Sequence, residues 1–81
     1  MIVLVSFYSY CREQTGCAQT TELLPEGSTL EDLFRALAAR FSRLGPMGNS
    51  LLMAVGLDYQ GRDYVLRQGD EVALFPPVQG G

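Results

Sequence analysis

The stretch STLEDLFRALAARFSRLGP, residues 28–46, decides the fold. Leu30, Leu33, Phe34, Leu37, Phe41 and Leu44 recur at three- and four-residue spacing, so a helix gathers all six onto one stripe. Ser28 and Glu31 have capping-box spacing, Asp32 adds negative charge at the positive end of the helix dipole, and Arg40 and Arg43 fall near its negative end. Gly45 and Pro46 are expected to stop the helix. One amphipathic helix in a short chain needs a sheet to cover its apolar stripe.

The flanking segments supply that sheet. Residues 2–8, IVLVSFY, are β-branched and aromatic and read as a first strand. The polar segment SYCREQTG reads as a loop. AQTTELLPEG then forms its hairpin partner, closed by turn chemistry at Pro25, Glu26 and Gly27. Beyond the helix, SLLMAVGLDYQG is almost continuously apolar and reads as a central strand ending in a turn at Gln60–Gly61. RDYVLRQGD is irregular, with room for a short extra strand near Tyr64, and Gly69–Asp70 turn into the last strand, EVALFP. The expected order is β-β-α-β-β, an α+β domain with one main helix on one sheet face.

Alternation assigns the two faces. Val3, Val5, Phe7, Val72 and Leu74 are placed under the helix. Tyr8, Tyr59 and Phe75 fall on the helix-free face, where they are either scattered surface rings or a partner surface.

The 81 residues form one domain, since so short a chain buries only about 60 to 65% of its unfolded surface and cannot divide that core. A net charge of −3 without a basic cluster argues against nucleic acid as a partner. No apolar run approaches the roughly 20 residues that span a bilayer, so no membrane association and a cytoplasmic location are expected. Cys11 and Cys17, spaced C-x5-C, fit neither a zinc knuckle nor a C-x-x-C redox motif, and there is no His to complete a metal site. They read as two thiols without a role, with a loop disulfide or a redox-sensitive pair as the alternatives.

The residue inventory is poor in catalytic groups. There is no His, Lys or Trp, no phosphate-binding glycine loop, and no carboxylate pair with acid and base spacing, so the chain is not expected to be an enzyme alone. What stands out is the final segment, residues 77–81, after a domain of residues 1–76. Pro76 and Pro77 favour polyproline II and withhold two amide donors, so the chain should leave the sheet as a stiff arm. Gly80 and Gly81 remove every side chain near the last carbonyl, which suits a narrow tunnel and an unhindered nucleophile. Chance places two glycines there in roughly one chain in 200.

GDEVALFPPVQGG (residues 69–81), the Arg12–Glu13 pair, TLEDL (29–33) and LLMAV (51–55) together resemble the ubiquitin-like β-grasp sulfur carriers. Within them the chain is most similar to the MoaD-type small subunits of molybdopterin synthase. The resemblance covers nearly the whole chain. It departs at Gly56, where that family often has Asn, and in the loop from Cys11 to Cys17. It implies a β-grasp fold with a mixed sheet of four to five strands and one main helix on one face.

The resemblance also implies a chemistry. Gly81, with Gly80 beside it, is the site of adenylation and then of a thiocarboxylate that carries sulfur to cyclic pyranopterin monophosphate in molybdenum cofactor biosynthesis. Phe75, Tyr8 and Tyr59, with Pro76, Pro77 and Val78 along the arm, are the partner-binding candidates. The implied partners are the large synthase subunit, in a heterotetramer, a ubiquitin-activating-type adenylating enzyme and a persulfide sulfur donor. No cofactor or metal is bound, and ATP is used by the activating enzyme. The rival within this chemistry is a related carrier or protein modifier serving thiazole, cysteine or tRNA thiolation; outside it stands an interaction module with an inert tail.

Overall fold

The chain runs β1 (Ile2–Phe7), α1 (Tyr10–Thr15), β2 (Gln19–Leu23), α2 (Leu30–Arg40), a 3₁₀ helix (Ser42–Ser50), β3 (Leu52–Val55), β4 (Asp58–Tyr59) and β5 (Glu71–Phe75). This is a computed structural model, and it describes residues 1–77. The five strands form one sheet in the order β2-β1-β5-β3-β4. β1 and β5 lie parallel at its centre, with Val5 opposite Val72 and Phe7 opposite Leu74, and the other pairs are antiparallel. A parallel pair needs a long crossover, which α2 and its flanking segments provide.

The face assignments are borne out. Val3, Val5, Phe7, Val72 and Leu74 are buried beneath α2, whose Leu30, Leu33, Phe34 and Leu37 complete the core with Leu44, Leu51 and Met53. The architecture is the expected α+β mixed sheet with its main helix on one face. Leu74 and Met53 are register partners and both point into this core.

Several local expectations are corrected. The segment read as a polar loop contains α1, which a left-handed Gly16 closes at φ 76°. The capping box is Thr29 with Asp32, one residue later than Ser28 with Glu31. Thr29 is held extended by an isolated bridge to Val65, and among the described residues no strand forms near Tyr64, where a short extra one was expected. Its N–H donates to the Asp32 carboxylate at 2.9 Å, and its hydroxyl accepts the Asp32 N–H at 3.2 Å. Ser28 is instead drawn inward, its hydroxyl donating to the Pro25 carbonyl at 2.7 Å.

The helix also ends earlier than expected. Phe41 leaves helical geometry at φ −122°, ψ 86°, and sets its ring edge-on to Phe7 with centroids 5.5 Å apart. Arg40 ties that end to β2 through the Thr21 carbonyl, the Glu22 carboxylate and the Thr20 hydroxyl at 3.0, 2.6 and 2.9 Å. Gly45 and Pro46 do not stop α2; they lie inside the 3₁₀ helix. Arg43 accordingly sits beyond the helix end rather than in its last turn.

The long apolar segment after it is split in two. Its turn falls at Gly56 and Leu57, not at Gln60–Gly61, because Gly56 takes φ 62° and closes a two-residue hairpin between Val55 and Asp58. β3 is interior, but β5 rather than β3 occupies the centre.

Candidate functional site

β5 ends at Phe75 because Pro76 and Pro77 bring no amide hydrogens to continue the ladder. Phe75 pairs with Leu52 across the sheet, and Tyr8 donates its N–H to the Leu74 carbonyl at 3.1 Å, the bond that closes the β1 side. Phe75 and Tyr8 therefore leave the sheet side by side on the helix-free face.

There the rings meet. Tyr8 stacks on Phe75 with centroids 4.9 Å apart and planes 10° from parallel, and Tyr59 approaches Phe75 edge-on at 6.1 Å. Tyr59 arrives from β4, opposite Ala54, which itself faces Ala73. Small residues at 54 and 73 leave room beside the three rings on this face. Phe75 is half-buried, and Tyr8 and Tyr59 are exposed by 42% and 66%. A stacked aromatic cluster of this kind is a contiguous surface, not the scattered rings of the alternative reading.

The start of α1 turns the chain away from this patch. Ser9 takes φ 54°, an uncommon conformation for a residue with a side chain, and the turn buries Cys11 completely while Tyr10 remains exposed. Tyr10 then lines an open cleft of about 460 Å³ together with Pro46, Met47, Ser50, Pro76 and Pro77. The two prolines where the chain leaves the sheet thus border the aromatic patch and this cleft. Tyr10, Pro46, Met47 and Ser50 were not anticipated from sequence. No sequence period points to them: α1 is only six residues long, and its last turn is held by the Thr15 hydroxyl donating to the Cys11 carbonyl at 3.1 Å.

The 3₁₀ wall of the cleft is tied down from behind. Arg62 donates to the Gly48 carbonyl, pairs with Glu31 at 3.0 Å and lies over the Phe34 ring at 4.9 Å. Gly48 suits this position, since an added Cβ would come within 3.0 Å of the Phe34 ring.

Cys11 and Cys17 are both free thiols, without the loop disulfide considered above. Burial pushes the Cys11 thiol pKa up, so it is held protonated and unreactive. Among the described residues no group of three or more His, Cys, Asp or Glu side chains is placed to hold a metal ion. Among them, too, no helix is long and apolar enough to cross a membrane. Of the sequence-predicted site residues, Tyr8, Tyr59, Phe75, Pro76 and Pro77 come together at one end of the sheet; Val78, Gly80 and Gly81 lie outside the described residues. The arrangement sets an exposed aromatic patch beside the two prolines at which β5 ends.

The ThiS family model matches residues 5–81. The chain belongs to the ThiS family. Among curated relatives, the ThiS-family chain is 38% identical over 82 residues to the molybdopterin synthase sulfur carrier subunit of Escherichia coli K12, covering 99% of this chain and 100% of that one. Its fold is that of SAMP1 from Haloferax volcanii, with a TM-score of 0.88 at 20% identity and full coverage of both chains. A second fold match is to the complex of subunits 1 and 2 of the molybdopterin-converting factor of Helicobacter pylori, with a TM-score of 0.69 at 23% identity and full coverage of both chains. The ThiS-family chain is thus a ubiquitin-like β-grasp protein.

Proposed function

We propose that this protein is the sulfur-carrying subunit of a molybdopterin synthase, non-catalytic by itself, with Gly81 as the atom-bearing end. A carboxylate is a poor electrophile, so an adenylating enzyme converts it, with ATP, to an acyl-adenylate. The terminal sulfur of a persulfide then attacks the acyl carbon, releasing AMP and forming an acyl disulfide, and a second thiol on the donor cleaves that S–S bond, which leaves a thiocarboxylate on Gly81 and a disulfide on the donor. The large subunit supplies the acid and base groups that this chain lacks, and sulfur passes to cyclic pyranopterin monophosphate.

One observation supports this reading above the others: the aromatic patch of Phe75, Tyr8 and Tyr59 stands directly beside the diproline exit of β5. A partner docked on that patch has the departing chain at its edge, so binding and delivery share one end of the molecule. The full-length match to a sulfur carrier subunit favours the same acceptor over thiazole, cysteine or tRNA thiolation.

The test is intact mass spectrometry after incubation with ATP, the adenylating enzyme and a persulfide donor. Exchange of one oxygen for sulfur at Gly81 is expected, and deletion of Gly81 should eliminate it. Loading that survives the deletion would place the sulfur elsewhere and overturn the reading.

A further inference from the structure

Building on the activation of Gly81 proposed above, we infer that this chain offers its own kind no side-chain acceptor: an activated copy is not captured by a side chain of another copy as a stable amide. Such capture would break the bond between the Gly81 carbonyl carbon and the adenylate oxygen, form a C–N bond to an attacking amine, release AMP and shed one proton from the nitrogen. The acceptor must therefore present a neutral amine.

The 81 residues contain no lysine; all six basic side chains are arginines, at 12, 35, 40, 43, 62 and 67. A guanidinium has a pKa about two to three units above that of a lysine amine, so at neutral pH its neutral form is scarcer by roughly a hundred- to a thousandfold. The structure separates arginines with a geometric reason from those without. Arg40 reaches three acceptors on β2, and Arg62 spans Glu31, the Gly48 carbonyl and the Phe34 ring, arrangements that need the guanidinium fork. Arg43 and Arg67 are exposed and take part in none of the ion pairs among the described residues, so a lysine would serve their solubility role as well.

The remaining nucleophiles are one main-chain amine and two thiols. The Met1 amino group, the one amine of the 81 residues, donates to the Leu24 carbonyl at 2.6 Å, and the Leu24 N–H returns a bond to the Met1 carbonyl at 2.8 Å; any amide formed on an unmodified copy is confined to it. Cys11 is fully buried. Cys17 is half-buried, and a thioester formed there is exchanged away by any free thiol. Among side chains, an activated copy is therefore left for its sulfur donor or for a lysine on a different protein.

The experiment uses an acyl donor made without the activating enzyme, namely the full chain carrying a chemically installed Gly81 aryl thioester. It is mixed with an isotope-labelled, unactivated copy, treated with excess thiol and mapped by peptide mass. Wild-type acceptor should give hydrolysed donor and no amide at any side chain, with an amide at the Met1 amine mapped separately. The Arg43→Lys acceptor should give an amide at position 43, in excess over any amide at a wild-type arginine on the order of a hundredfold. An amide on any side chain of the wild-type acceptor at a level near that of the variant would overturn the inference. So would an Arg43→Lys acceptor that stays as inert as wild type, because protection would then come from something other than the missing amine. Failure of enzymatic sulfur loading would count against the proposed function and would leave this measurement unchanged.

Discussion

Replacing Phe75 by Ala separates the packing contribution of the aromatic patch from its proposed role in docking. In the free protein the substitution removes the stack on Tyr8 and the edge contact with Tyr59. Both tyrosines are exposed by 42% or more, so each pair is taken at the low end of its range, about 0.5 kcal/mol. Losing the apolar area of a half-buried ring adds about 1 kcal/mol. The total, about 2 kcal/mol, corresponds to a fall in midpoint of roughly 10 °C for a domain of this size. A domain of this length has about 4 to 12 kcal/mol in hand, so the variant stays folded. At the partner surface, truncating a central aromatic anchor costs about 2 kcal/mol or more, a weakening of about 30-fold. Thermal melting by circular dichroism reads the first effect, and calorimetric titration against a molybdopterin synthase large subunit reads the second. Leu57→Ala is the control, since Leu57 is a fully exposed apolar side chain on the β3–β4 turn, outside the patch. Wild-type affinity in folded Phe75→Ala, or equal weakening by Leu57→Ala, would refute the assignment of this face as the docking surface.

Three further outcomes follow from the same geometry. Arg62→Ala loses the Glu31 pair, the bond to the Gly48 carbonyl and the contact with Phe34, and should lower stability by about 2 kcal/mol in urea unfolding, with Arg62→Lys intermediate; equal stability in all three proteins would show that the 3₁₀ helix is held by its apolar contacts alone. The Thr29 N–H and then its hydroxyl hold the Asp32 carboxyl below its ordinary pKa, so its contribution is present above about pH 4 and lost as pH falls through the depressed folded value. The gap in urea midpoint between wild type and Asp32→Ala should therefore be open at neutral pH and narrow as the pH is taken progressively below about 4, and a gap of constant size would exclude the charged capping box as its source. Burial raises the Cys11 pKa, so the stabilisation linked to that group is complete below about pH 8.5 and declines as pH rises through the raised folded value; in maleimide labelling Cys17 should react first and Cys11 only on unfolding, and equal rates would show that the α1 segment opens in the native state.

Periodicity made the core legible before any coordinates. Alternation in the first and last strands put Val3, Val5, Phe7, Val72 and Leu74 on one face, and the helical stripe put Leu30, Leu33, Phe34 and Leu37 against them. The same alternation left Tyr8, Tyr59 and Phe75 on the opposite face. These are local properties of the chain: a period of 2 or 3.6 assigns a side, and burial follows once a sheet and a helix have only each other to cover. Tertiary contacts decided what no period encodes. α1 is six residues long, too short for a periodic signal, and it forms because Ser9 turns the chain and Cys11 finds the core. The capping box moved one residue because Thr29 bridges Val65 and Pro25 claims the Ser28 hydroxyl, partners that lie 36 and 3 positions away. α2 stopped at Arg40 because the Phe41 ring packs edge-on against Phe7 from the first strand. The cleft beside the exit joins Tyr10, Met47 and Pro76 from three distant segments, and only folding makes them neighbours.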